Sequence, residues 1–322
     1  MELRARNVNH AFKDAWWRLR TEGVREDSRN GPVMVAPGPV LTEYTHPTER
    51  VLFNPTRDAN GVFHLMESIW MLAGENDVRW LTQFSKNIAT YAEDNHEVHG
   101  AYGHRWRRHF GVDQIDRIVR LLKKDPNSRQ AVLQMWEPMG DLLGQWKDRP
   151  CNTAVYFDCR GGVLNMTVTC RSNDILWGAY GANAVHFSVL QEVVAAGVGV
   201  PVGVYRQFSN NWHAYLQNEQ VQHFLNNPPC EVHDAYEQGQ CVAFPLIQPW
   251  ETHVDFITDC EAFVHDGHKY RTAFMQLVAA PLRYAYLARK AGQPWRPDTI
   301  ADCDWKLAFQ QWTERRMNDG SK

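Results

Sequence analysis

The chain has 322 residues, 44% of them hydrophobic, which is enough for a sizeable buried core in one large domain or a domain with an appendage. Its 34 basic and 37 acidic residues give a formal net charge of -3, so no overall field draws it to nucleic acid or an anionic membrane, and any anion it binds must meet a local basic site. The charged opening MELRARNVNH and the lack of a bilayer-length apolar run predict a cytoplasmic protein, and seven cysteines without a CxxC pair predict neither a disulfide framework nor a zinc ribbon.

In chain order, the first strong pattern is GVFHLMESIWMLAGENDVRWLTQF, residues 61–84, whose apolar positions 65, 66, 69, 70, 72 and 73 predict a mostly buried helix with Glu67 in apolar company. From 131 to 170, AVLQMW, TAVYFDC and VLNMTVTC alternate as strands, the last two joined through Gly161 and Gly162 as a hairpin. In the third, Leu164, Met166, Val168 and Cys170 point one way, and Asn165, Thr167, Thr169 and Arg171 the other. NAVHFSVLQEVVAAGVGV, from 183, predicts a long apolar helix ending at Gly197, followed by a strand-like VGVYRQFSNNWHAYL. The last fifty or so residues predict helices, with Trp305, Phe309 and Trp312 on one stripe that reads as packing.

The stretch DRPCNTAVYFDCRGGVLNMTVTCRSND, 148–174, holds the chemistry. A two-residue turn at Gly161 and Gly162 sets Cys151 opposite Ser172 and beside Arg171, with bulges able to change which face each side chain takes. A cysteine near Arg149 and Arg171 is placed to have its thiolate stabilised, as a nucleophile needs, against the plainer reading of a buried structural cysteine. Arg171 and Ser172 offer a forked cation and a hydroxyl to a phosphate.

Together, RPCNTAVYF, CRSNDILWGAYGANAVHFSVLQEVVA and SNNWHAYL, with HLMESIWMLAG and DPNSRQAVLQMW before them, resemble the thymidylate synthase superfamily over roughly the first 260 residues. The resemblance implies an α/β (α+β) fold, a mixed sheet flanked by helices, with a catalytic domain over 1–265 and a helical C-terminal extension over 266–322. It implies folate-dependent transfer of a one-carbon unit from methylene-tetrahydrofolate to C5 of a pyrimidine deoxynucleoside monophosphate, with Cys151 adding to C6 and no metal taking part.

Residue by residue, the resemblance makes Arg171 and Ser172 phosphate ligands, Arg29 a mobile phosphate-binding arginine, and Arg129 an arginine donated across a homodimer interface. Glu67 matches a carboxylate that moves protons around the pyrimidine, its apolar helix expected to raise its pKa, and Tyr102 a tyrosine of the active-site wall. Asp174 matches the carboxylate that holds the pterin ring, with Gly178 nearby on the cofactor side, and His213 and Tyr215 the pair that binds the ribose hydroxyl. Asn183, or its neighbour Ala182, matches the residue that reads the base.

Three departures from an ordinary synthase favour a hydroxymethyl over a methyl product. Cys151 is followed by Asn152 where synthases commonly have histidine; the tryptophan that shields the exocyclic methylene has only Tyr91 as its nearest match; and the chain runs on to RRMNDGSK where synthases have a short apolar tail. An asparagine at 183 points to dUMP, with dCMP as the alternative substrate. Two other classes stay open: a catalytically inactive nucleotide-binding relative, and a thiol-based metal or redox protein, although His186, His213 and His223 form no familiar ligand spacing.

Overall fold

The structure is a computed structural model that describes residues 1–318. Ten strands form two sheets: β1 (Glu2–Ala5), β2 (Val24–Ser28), β3 (Gly31–Val35), β4 (Val40–Tyr44), β5 (Val132–Gln134), β6 (Asn152–Asp158), β7 (Leu164–Cys170), β8 (Asn173–Asp174), β9 (Val202–Ser209) and β10 (Trp212–Tyr215). Six make a mixed sheet in the order β1-β4-β9-β7-β6-β5, and four a smaller one in the order β2-β3-β10-β8. The fold is the mixed sheet with flanking helices that the sequence predicts.

The β6–β7 hairpin keeps the register expected from Gly161 and Gly162, pairing Asp158 with Asn165 and Ala154 with Thr169; both glycines take positive φ, at 68° and 75°. Leu164, Met166, Val168 and Cys170 are all buried on one face, as their alternation requires. Parallel strands cannot be joined by a tight turn, and the crossover from β7 to β9 is made by the helix Asn183–Val198. That helix stops at Gly199, whose φ of 89° is left-handed, and not at Gly197. A side chain at Gly197 would come within 2.7 Å of Val119, so this glycine serves close packing.

The helix carrying Glu67 is shorter than its apolar pattern suggests. It runs Gly61–Leu72, capped by Asn60, whose side chain accepts from the Phe63 N–H. Gly74, at φ 76°, turns the chain away, and Leu81–Gln83 is only a 3-10 turn. Further on, the strand-like segment at 202–215 divides at Asn210 and Asn211, so that β9 stays in the large sheet and β10 joins the small one. This switch carries His213 and Tyr215 away from the main core.

The helices His253–Val264, Ala280–Lys290 and Asp304–Asn318 close the back of the Glu67 helix. Trp305, Phe309 and Trp312 are buried, and Tyr286 stacks near Phe309 and Trp312 while its hydroxyl donates to the Phe84 carbonyl. Arg315 and Arg316 both bind Asp58, just before the Asn60 cap. Asp304, buried at the start of its helix, accepts from the Tyr236 hydroxyl at 2.8 Å, and burial pushes its carboxyl up to about 7. The folded chain therefore holds a proton there that the unfolded chain releases near 3.8, so this group's stabilising contribution is full below that pH and is lost as pH rises through about 7. Asp304→Asn is expected to lose less melting temperature between pH 5 and pH 8 than the natural chain, as followed by circular dichroism.

Candidate active site

Where β6 and β7 end, the ladder carries one extra residue at Thr153, because the register shifts between Asn152 and Ala154. Past this bulge Asn152 faces Cys170, and the Arg171 N–H donates to the Cys151 carbonyl at 2.8 Å. Cys151 thus lies opposite Arg171 and not opposite Ser172 as an unbroken ladder would give. A bulge re-aims one side chain without ending the sheet, and here it delivers Cys151 to an open cleft.

The cleft encloses about 620 Å³ between the end of this hairpin, the β2–β3 turn, β10 and the loop 141–149. Eight residues singled out in the sequence line it: Cys151, Arg149, Arg171, Ser172, Arg29, His213, Tyr215 and Tyr91. Arg171 is fixed by its own neighbourhood, Nε donating to the Pro150 carbonyl at 2.9 Å and Nη2 to the Arg149 carbonyl at 3.2 Å, with the Trp136 ring 5.5 Å away. Arg29, at the tip of the β2–β3 hairpin, and Tyr91 are exposed on the rim. His213 is buried, its Nδ1 without a partner among the described residues, and Tyr215 packs edge-on against it at 5.0 Å.

Tyr102 lies under Cys151. Its hydroxyl accepts from the backbone N–H groups of both Cys151 and Asn152, each at 3.1 Å, which pins the strand end from which Cys151 projects. Burial pushes the Cys151 thiol above its ordinary range; Arg171 and Arg29 pull it down, and Asp148 opposes them. The thiolate stabilisation expected from neighbouring arginines is therefore outweighed, because depth in the structure exceeds what the charges return.

Behind the cleft stands a connected set of buried amides. The Asn152 side chain donates to Asn183 Oδ1 at 3.0 Å, and Asn183 Nδ2 donates to Asn173 Oδ1 at 3.0 Å. Asn183, not Ala182, is the residue engaged, because the wide turn Ile175–Ala182 kinks at Tyr180 and Gly181 before the helix begins. Gly178 is confined by the same contact, since a side chain there would meet Asn173 Oδ1 at 2.8 Å. Three residues on from Asn183, His186 Nε2 lies 3.1 Å from Glu67 Oε2, with His64 edge-on to His186. Burial holds the His64 imidazole well below its usual range.

Asp174 accepts from the Trp177 N–H at 2.6 Å, and its other oxygen is buried without a partner among the described residues. Burial raises this carboxyl to about 6 even with Arg57 nearby. Arg57 itself is buried, donates to the Leu176 carbonyl at 2.9 Å and lies 4.4 Å from the half-exposed Trp177 ring. Arg129 is exposed just ahead of β5 and does not line the cleft. Asn173, Gln207, Arg57 and Asp148 escaped the sequence reading. The available signal was uncharged amides at strand positions otherwise filled by core residues.

Outside the cleft, His10 Nε2 lies 3.3 Å from Asp234 and 2.9 Å from Glu237, the one trio among the described residues with metal-ligand spacing; Asp234 already accepts from Asn7. All seven cysteines are free. No helix among the described residues is long and apolar enough to cross a membrane.

Cys151 beside a fixed arginine, at a strand end of a mixed sheet with this strand order, stands in a chain whose family and relatives are those of one-carbon transferases. The thymidylate synthase family model matches residues 10–235, and the chain belongs to that family. A deoxyuridylate hydroxymethyltransferase of Pseudomonas phage M6 is 44% identical over 334 aligned residues, covering 98% of this chain and 94% of the relative. A deoxyuridylate hydroxymethyltransferase of Bacillus phage SP01 is 37% identical over 191 residues, 56% of this chain and 50% of its own. Among solved structures, thymidylate synthase from T4 phage superposes with a TM-score of 0.57 at 24% identity, over 69% of this chain and 82% of its own, a likeness of fold.

Proposed function

We propose that the protein hydroxymethylates dUMP at C5, consuming methylene-tetrahydrofolate and water and releasing 5-hydroxymethyl-dUMP and tetrahydrofolate. The observation that carries this reading is the bond from Asn152 to Asn183, which leaves Asn183 with one N–H and one oxygen lone pair to meet O4 and N3–H of uracil, in a chain whose near-full-length relative bears the name deoxyuridylate hydroxymethyltransferase.

In this reading Arg171 and Ser172, with Arg29 closing from the rim, take the phosphate, and His213 and Tyr215 take the ribose hydroxyl. Cys151 Sγ bonds to C6 and the C5 position becomes nucleophilic; Cys151 leaves again when the product is complete. Glu67, 3.1 Å from His186 Nε2, moves protons at the pyrimidine edge. The folate, when bound, supplies a carbon at the oxidation level of formaldehyde. Asp174 fits it, because a buried carboxylate oxygen with no partner suits a paired N–H donor of the pterin, and the Trp177 ring beside it offers a flat face. Tyr91 on the rim leaves the C5 substituent less enclosed than a tryptophan would, which favours capture by water. Arg129, exposed and away from its own cleft, suits donation to the cleft of a second copy. Residues 1–265 form the catalytic domain in this account and 266–322 an extension bracing the Glu67 helix; its last four residues lie outside the described ones.

The test is mass analysis of nucleotides after incubation with methylene-tetrahydrofolate and dUMP or dCMP in separate tubes. A hydroxymethyl shift on dUMP alone is expected. A methyl shift with dihydrofolate would make the protein a synthase, and a shift on dCMP alone would transfer the reading to cytosine. No shift in either tube would leave the inactive-relative reading standing.

A further inference from the structure

The amides behind the cleft form one chain of hydrogen bonds that runs in one direction from Tyr205 to Asn152. The Tyr205 hydroxyl donates to the backbone carbonyl of Asn183 at 3.4 Å, a group that can only accept. Gln207 Nε2 donates to that hydroxyl at 3.0 Å, which leaves the hydroxyl proton for the carbonyl, and Gln207 Oε1 faces Asn173 at 2.8 Å. Asn173 must answer with Nδ2, which leaves its Oδ1 for Asn183 Nδ2 at 3.0 Å; Asn183 Oδ1 in turn takes the Asn152 Nδ2 proton at 3.0 Å. Every amide in the series is at least nine-tenths buried, so no water corrects a wrong orientation. The Asn152 oxygen is left over, buried and unpaired among the described residues.

We infer that Tyr205 and Gln207 are positioning residues that set the base preference of the enzyme by locking the Asn183 amide in the orientation that suits uracil. This rests on the reading of Asn183 as the residue that meets the pyrimidine edge. Cytosine presents a donor where uracil has O4 and an acceptor where uracil has N3–H, so it needs the Asn183 amide turned over. Turning it would set oxygen against oxygen at Asn173 and N–H against N–H at Asn152. Both neighbours would have to turn with it, and Gln207 opposes that at Asn173, because turning Gln207 as well would draw the Tyr205 proton off the Asn183 carbonyl.

The lock has one releasable joint. Asn173 Nδ2 also lies 2.9 Å from the Ser209 hydroxyl, which accepts in the present arrangement but is equally able to donate. With Gln207 replaced by methionine, of similar length and no polarity, Asn173 turns at no cost against Ser209. Asn183 and Asn152 then follow. Tyr205→Phe acts one step further out, freeing Gln207 itself to turn.

The experiment is calorimetric titration of dUMP and of dCMP into the natural protein, Gln207→Met and Tyr205→Phe without folate, beside turnover on each nucleotide and circular dichroism of each variant. The natural protein is expected to bind dUMP at least tenfold more tightly than dCMP. Gln207→Met is expected to shrink that ratio at least tenfold by gaining dCMP affinity, with Tyr205→Phe shifting the same way by less. A folded variant that loses affinity for both nucleotides equally, or keeps the natural ratio, overturns the lock while leaving the dUMP assignment intact. A natural protein that prefers dCMP overturns the assignment of the base itself. Should Gln207→Met fail to fold, the near-isosteric Tyr205→Phe decides by the same ratio.

Discussion

Cys151→Ala is expected to lower turnover of dUMP by at least about 10⁴-fold while leaving dUMP affinity within a few-fold of the natural protein. The Cys151 sulfur, the proposed nucleophile, is placed by three features that the substitution leaves alone: the Tyr102 hydroxyl beneath two backbone N–H groups, the Arg171 N–H on the Cys151 carbonyl, and the bulge at Thr153. Phosphate and sugar contacts are assigned to other residues, so binding survives when bond formation cannot. Nucleotide product formation and calorimetric dUMP binding, measured on the same preparation, check both halves. Residual turnover within a hundredfold of natural would mean that C5 is activated without a covalent bond to Cys151.

Glu67→Gln is expected to lower kcat by about 10² to 10⁴-fold, the range for loss of a proton-transferring group, with little change in KM for the nucleotide. Gln keeps the size of the side chain and an oxygen for His186 at the 3.1 Å contact, so folding and the neighbouring helix are preserved. What disappears is a group that can take and return a proton beside the base. Steady-state kinetics with dUMP provide the check, and a kcat within tenfold of natural would reduce Glu67 to a structural partner of His186.

The hairpin that holds Cys151, Arg171 and Ser172 together was legible in the sequence because strand alternation and a Gly-Gly turn are local patterns, and its register follows from them. The bulge was not legible, since an extra residue in one strand leaves no mark on side-chain type. The helix at 61–84 was overextended because apolar composition continues past Leu72 while Gly74, one residue among many, ends it. Likewise Gly197 was read as a stop when its role is to admit Val119. The approach of Arg57 to Asp174, and the amide series from Tyr205 to Asn152, join residues far apart in the chain. No window of sequence contains them. The direction of the Cys151 shift was misjudged for a related reason: sequence reports the charges nearby but not the depth at which they act.

That depth has a consequence for the lifetime of the protein. Alkylating electrophiles and peroxides attack the deprotonated form of sulfur, and a thiol held above its ordinary range presents little of that form at neutral pH. Under the proposed function, the resting enzyme therefore carries its nucleophilic sulfur mostly as the less reactive thiol. The same burial that withholds reactivity between turnovers defends the atom that the proposed reaction uses.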